Sequence, residues 1–171
     1  MCADTYESGT CSGVIPTTRV LVAGIGNIFL GDDGFGSEVV RRMPASTEPD
    51  VRVTDYGIRG LHLAYDLLDG WDALVLVDAL PDRGMPGQVD VFHADPGGGG
   101  VGLDAHAMHP DAVFAVVRAM GGTIPPTVIV GCQISSVADG IGLTEPVAAA
   151  VDPAMAAVES VVTALRHPQE V

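Results

Sequence analysis

Residues 20–23 are wholly apolar, a glycine-rich turn follows, and a helix-like stretch begins directly after it: a strand running into a helix. That alternation recurs along the chain. Residues 19–24, 51–56, 73–80, 88–93 and 127–132 read as strands. The run 73–80, ALVLVDAL, is apolar up to Asp78, as a central strand covered on both faces must be. Residues 88–93 are more polar and belong at a sheet edge. Residues 34–43, 61–68 and 110–120 read as helices, with Pro110 suited to a first turn. A helical region over 144–166 closes the pattern, with a kink or restart expected at Asp152-Pro153.

Strands alternating with helices predict an α/β fold, a three-layer, doubly wound and mainly parallel twisted sheet of about five strands. Residues 18–167 are expected to form a single domain, after a disordered N-terminal extension over 1–17 and before a short tail over 168–171. The stretch 94–102 contains PGGGG and reads as a flexible loop. Right-handed crossovers bring every strand-to-helix turn to one edge of such a sheet, and ligands bind at that carboxyl edge.

Composition narrows the functions. The net charge of −14 and only eight Lys and Arg residues exclude a phosphate-binding surface, so no nucleic acid is expected as partner. No apolar run approaches the ~20 residues of a membrane span, and the N-terminus lacks the pattern of a secretory signal. A cytoplasmic protein without membrane insertion is expected. Cys2, Cys11 and Cys132 are too few for a disulfide framework or a zinc motif, and Cys132 reads as an inert core residue.

The first turn carries the most chemistry. Gly24, Gly26 and Gly31 lead into the adjacent acids Asp32 and Asp33. Glycines at such a turn ordinarily open it to a phosphate, but two carboxylates there repel an anion and suit a cation. The complete dinucleotide fingerprint is also missing. Asp33 after strand one, Asp55 ending strand two, Asp78 ending strand three and His106 after strand four all fall at the carboxyl edge. Carboxylates and an imidazole form a ligand set for a first-row divalent metal. Each has a plainer reading: Asp33 as a helix cap, Asp55 and Asp78 bonding the next turn, His106 as a solvated side chain. His93 and His109 are rival imidazoles that spacing does not rank.

The segment GIGNIFLGDDGFG, Gly24 to Gly36, resembles the N-terminal motif of the nickel-iron hydrogenase maturation proteases. The likeness continues through DYGIRGLHLAYDLL, LVLVDAL, HAMHPDAV, VGC and GIGLTEPV, in that order. These endopeptidases trim the C-terminal extension of the hydrogenase large subunit. The resemblance implies an α/β fold with a largely parallel sheet, and two acids and a histidine that engage nickel already inserted in the substrate. Residue by residue these are Asp33, Asp78 and His106, and Asp55 matches a further recurrent position.

On that reading the partner is the immature large subunit of a nickel-iron hydrogenase. The chain works as a monomer and holds metal weakly or not at all by itself, because the nickel comes with the substrate. Nickel would act as a Lewis acid at the scissile peptide, and Asp32 or Asp55 is a candidate general base. No serine or cysteine arrangement argues for a covalent route, and HExxH is absent. Two alternatives remain: an accessory protein that checks the nickel-loaded subunit without cutting it, and a metal-dependent hydrolase of small molecules.

Overall fold

A computed structural model describes residues 17–94 and 110–167. Residues 1–16 of the N-terminal extension expected over 1–17, the glycine loop from 95 onward, His106, His109 and the tail over 168–171 lie outside the described residues. Five strands form one sheet: β1 (Val20–Ile25), β2 (Val51–Gly57), β3 (Ala73–Leu80), β4 (Val89–His93) and β5 (Thr127–Gln133). The helices are α1 (Phe35–Arg42), α2 (Gly60–Leu67), α3 (Pro110–Ala119), α4 (Glu145–Ala149) and α5 (Val151–Arg166).

Strand order is β2-β1-β3-β5-β4. The first four are parallel neighbours and β4 closes one edge antiparallel to β5. The chain leaves β1 for β2 on one side and returns to β3 on the other, so the order reverses between β1 and β3. In open α/β sheets such a reversal is where the flanking connections diverge and a ligand crevice forms above the strand ends.

Period-two alternation sorts the central strands into two cores. Val20, Val22, Val75 and Val77 point to one face, where Phe35 and Val39 of α1 and Val151, Ala154 and Val158 of α5 cover them. Leu21, Ala23, Leu74 and Leu76 point to the other, under Leu63 and Leu67 of α2 and Phe114 and Val117 of α3. These faces make the three-layer α/β sandwich that the alternation of strands and helices predicts. Cys132 is fully buried in the first core, and burial pushes its thiol up to about 11, which keeps it an inert thiol.

Glycines let α1 lie directly on the sheet. A Cβ on Gly36 would stand 2.1 Å from the Val77 carbonyl oxygen and 2.3 Å from that of Ile25. With no Cβ, the helix start rests against the backbones of both central strands. Residues 31–34 form a 3-10 turn, so the helix begins at Phe35, one residue later than the sequence pattern suggests.

The final helical region breaks at Ala150, two residues before the expected Asp152-Pro153 step. Pro153 falls in the first turn of α5, where its missing N–H leaves no helix bond unmade. By length and composition the stretch Glu145–Arg166 could cross a membrane, contrary to the expectation that no such run exists. Its Val147, Val151, Ala154 and Val158 are buried in the core.

Candidate active site

Two aspartates meet at the reversal between β1 and β3. Asp33 sits in the 3-10 turn just past β1, and Asp78 stands near the end of β3. Both are buried, Asp33 to 6 % exposure and Asp78 to 8 %. Burial pushes the Asp78 carboxyl well above the usual carboxylate range. The Ala79 N–H draws it partly back, and the nearby charge of Asp33 pushes it up further. Two carboxylates in one low-dielectric crevice repel each other, and a cation placed between them relieves both that repulsion and the desolvation.

Local hydrogen bonds fix how each carboxylate is aimed. The backbone N–H of Asn27 donates to Asp33 Oδ2 at 2.7 Å. Neither the 3-10 turn nor α1 receives a side-chain cap, so capping is not what Asp33 does. Gly26 makes the Asn27 contact possible: its φ is +131°, and a Cβ there would stand 1.9 Å from the Asp33 carbonyl oxygen. Asp78 Oδ1 accepts the N–H of the next residue, Ala79, at 2.8 Å, a local bond of the kind a strand-end aspartate makes.

Asp32 points the other way. It is fully buried, and its carboxylate accepts the N–H groups of Ser135 and Ser136 at 3.0 Å each. It also accepts the Thr144 N–H at 2.6 Å and the Thr144 hydroxyl at 2.9 Å. Backbone bonds reinforce the same junction, from Gly31 N to Gly140 O and from Gly140 N to Phe29 O, both 2.9 Å. The turn after β1 and the segment after β5 are thereby tied into one unit.

Asp55 stands near the end of β2 beside this turn, two residues before Gly57, paired in register with Gly24. Its Oδ1 accepts the buried Ser37 hydroxyl at 2.7 Å and the Gly57 N–H at 3.0 Å. Its Oδ2 faces Arg41 at 3.5 Å, and the side chain is 30 % exposed. The guanidinium of Arg59 donates to the carbonyls of Asp55 and Tyr56, which holds the end of β2 in place.

Of the histidines weighed from sequence, His93 is exposed at the far end of β4, in register with Val128 near the start of β5. It therefore lies at the edge opposite Asp78, while His106 and His109 lie outside the described residues. Among the described residues, no three His, Cys, Asp or Glu side chains cluster closely enough to hold a metal. Sequence reasoning missed Asn27 and Thr144 as holders of the acid pair. Asn27, directly after a positive-φ glycine, was the available signal. Nothing local marks Thr144, which is 112 residues from Asp32.

Known proteins share this architecture. A model of the hydrogenase maturation protease family matches residues 37–161. The hydrogenase expression/formation protein HupD of Rhodobacter capsulatus is 33 % identical over 144 residues, covering 81 % of this chain and 68 % of that protein. The hydrogenase 2 maturation protease of Escherichia coli is 30 % identical over 154 residues, covering 87 % of this chain and 92 % of that protein. Among solved structures, the hydrogenase maturating endopeptidase HybD of Escherichia coli superimposes with a TM-score of 0.70 at 28 % identity, over 89 % of this chain and 94 % of that one. The family-model match spans β2 to β5, and both Escherichia coli relatives are named as a protease or endopeptidase. This chain belongs to the hydrogenase maturation proteases, a family of endopeptidases.

Proposed function

We propose that this chain removes the C-terminal extension of the immature large subunit of a nickel-iron hydrogenase, and that it recognises nickel already held by that subunit. The observation that carries the proposal is the pair Asp33 and Asp78, buried side by side where the sheet order reverses. Their mutual repulsion is relieved by a divalent cation arriving with the substrate, so docking is favoured when the nickel is present. His106 is the third ligand of this reading. Helix α3 leads into β5 from the opposite edge, as the packing of Gly122 against Leu68 at the ends of α3 and α2 shows. The start of α3 at Pro110, four residues after His106, accordingly faces the carboxyl edge.

Two carboxylates and one imidazole on separate segments leave coordination incomplete without the substrate's own ligands, in line with weak metal binding by the chain alone. When present, nickel supplies a Lewis acid at the scissile carbonyl. The chain's own part is to hold Asp33 through Asn27 and Asp78 through Ala79, and to take a proton from the attacking water. We assign that proton to Asp55. All four donors around Asp32 bind its carboxylate in full burial, whereas the Asp55 side chain is 30 % exposed, with Oδ2 facing Arg41 at 3.5 Å. Ser37 and Gly57 hold Asp55 Oδ1 and so orient Oδ2, which faces Arg41.

The chain acts as a cytoplasmic monomer on this reading. Incubating it with an immature large subunit and weighing the subunit tests it. Loss of a discrete C-terminal fragment is the expected result. Binding without shortening would return the accessory-protein alternative.

A further inference from the structure

Ten large apolar side chains are exposed among the described residues, and six of them gather at the carboxyl edge of the sheet. Phe29 follows β1, Ile58 and Leu61 follow β2, Met85 follows β3, and Val137 and Ile141 follow β5. Isolated exposed apolar residues are ordinary, but a gathering around one crevice marks a contact surface.

Phe29, Val137 and Ile141 form its centre, at 61 %, 44 % and 78 % exposure. They are carried on the two segments that Asp32 and the backbone bonds at Gly31 and Gly140 tie together. That junction makes them a rigid lip, with little conformational entropy left to lose on binding. The lip is continuous with the acid pair. Asn27, whose N–H holds Asp33, accepts the Phe29 N–H on its own Oδ1 at 3.0 Å, so one turn positions both the carboxylate and the apolar ring.

Charge selects the occupant. In a chain of net charge −14, residues 26–31 carry no charge and residues 134–143 carry only Asp139. A second copy would bring another −14 against this face, and the two would repel. An uncharged or basic apolar segment of a different protein meets no such opposition.

We infer that Phe29, Val137 and Ile141 are the docking lip for an apolar, uncharged-to-basic segment of the substrate protein adjoining the peptide cut at Asp33 and Asp78. The inference rests on the function proposed above and adds where the substrate is gripped. Apolar anchors beside a catalytic crevice concentrate binding energy in a few side chains.

The test compares the full chain with a Phe29→Ser/Ile141→Ser double variant and with Met120→Ser, an exposed apolar residue at the opposite edge. Each is measured for affinity toward an immobilised, nickel-loaded immature large subunit, for cleavage of it, and for thermal midpoint. The double variant is expected to bind about tenfold or more weakly at an unchanged midpoint, with Met120→Ser binding like the parent chain. Equal affinity of the double variant and the parent chain overturns the lip. A parent chain that sediments as a dimer, made monomeric by the double substitution, also overturns it in favour of self-association. Should the double variant fail to fold, Ile141→Ser alone, flanked by Gly140 and Gly142, carries the same comparison. A parent chain that binds through the lip yet never cuts supports the lip and refutes the proteolytic reading.

Discussion

The Asp32 carboxylate grips Thr144 twice, taking its backbone N–H at 2.6 Å and its hydroxyl at 2.9 Å across 112 residues of sequence. One side chain thus locks the segment after β5 onto the turn after β1, while its neighbour Asp33 turns toward Asp78. The acid pair that marks the sequence therefore divides its labour: the first acid builds the crevice wall and the second faces the crevice.

Removing the wall-building acid is expected to be a stability lesion. Asp32→Ala leaves the N–H groups of Ser135, Ser136 and Thr144 without their acceptor, a cost of about 3 kcal/mol or more. Urea unfolding measures it. A loss below about 1 kcal/mol would show that water replaces the carboxylate at little cost.

Asp78 gives the opposite trade. Its carboxyl titrates higher in the folded chain than the ordinary 3.8, because of burial and then the charge of Asp33 against the partial relief from Ala79. Below that ordinary value both folded and unfolded chains hold the proton, and the group is neutral in its effect. As pH rises past it, the unfolded chain releases the proton first and folding stability falls until the folded carboxyl also ionises. Asp78→Asn is expected to flatten that decline in the metal-free chain and raise its thermal midpoint at pH 7, while cutting cleavage about 100-fold or more. A variant with the parent's pH dependence would contradict the buried, repelled state of Asp78.

Asp55→Asn tests the proton acceptor. The expected result is a fall in kcat of about 100-fold or more with the fold intact, since a positioned base contributes roughly that much. Ser37→Ala, which loosens the orientation of Asp55, should fall less and shift the pH profile of cleavage. Full activity in Asp55→Asn would move the base elsewhere.

Close packing of α1 can be checked without any substrate. In Gly36→Ala the new methyl group meets two backbone oxygens, of Val77 and Ile25, neither of which can swing aside. A loss of about 3 kcal/mol is expected from overpacking, read by denaturant unfolding, and an unchanged midpoint would mean the helix start is free to shift.

Much of this architecture was legible in the chain because its signals are local. Continuous apolar runs placed β1, β3 and β5, and the doubly wound reading followed from the alternation of strands with helices. The polar character of 88–93 marked the edge strand, though only pairing with β5 shows it antiparallel. Asp33 and Asp78 stand out as candidates in the sequence because each lies near or just past a strand end, where topology collects ligand-binding residues. The roles of Asp32 and Thr144 were not legible, because their bond joins segments that only the folded sheet brings together. The sequence also suggested a helix cap for Asp33, and the backbone N–H of Asn27 takes that carboxylate instead. The break at Ala150 was misplaced by two residues because proline is tolerated in a first turn, where it starts a helix rather than ends one.

The central claim is that substrate-borne nickel licenses cleavage through Asp33, Asp78 and His106. Nickel-loaded and nickel-free immature large subunit, each incubated with the purified chain and weighed intact, test it most directly. Loss of a discrete C-terminal fragment from the loaded subunit alone is the predicted result. Cleavage of both forms at equal rates would contradict it.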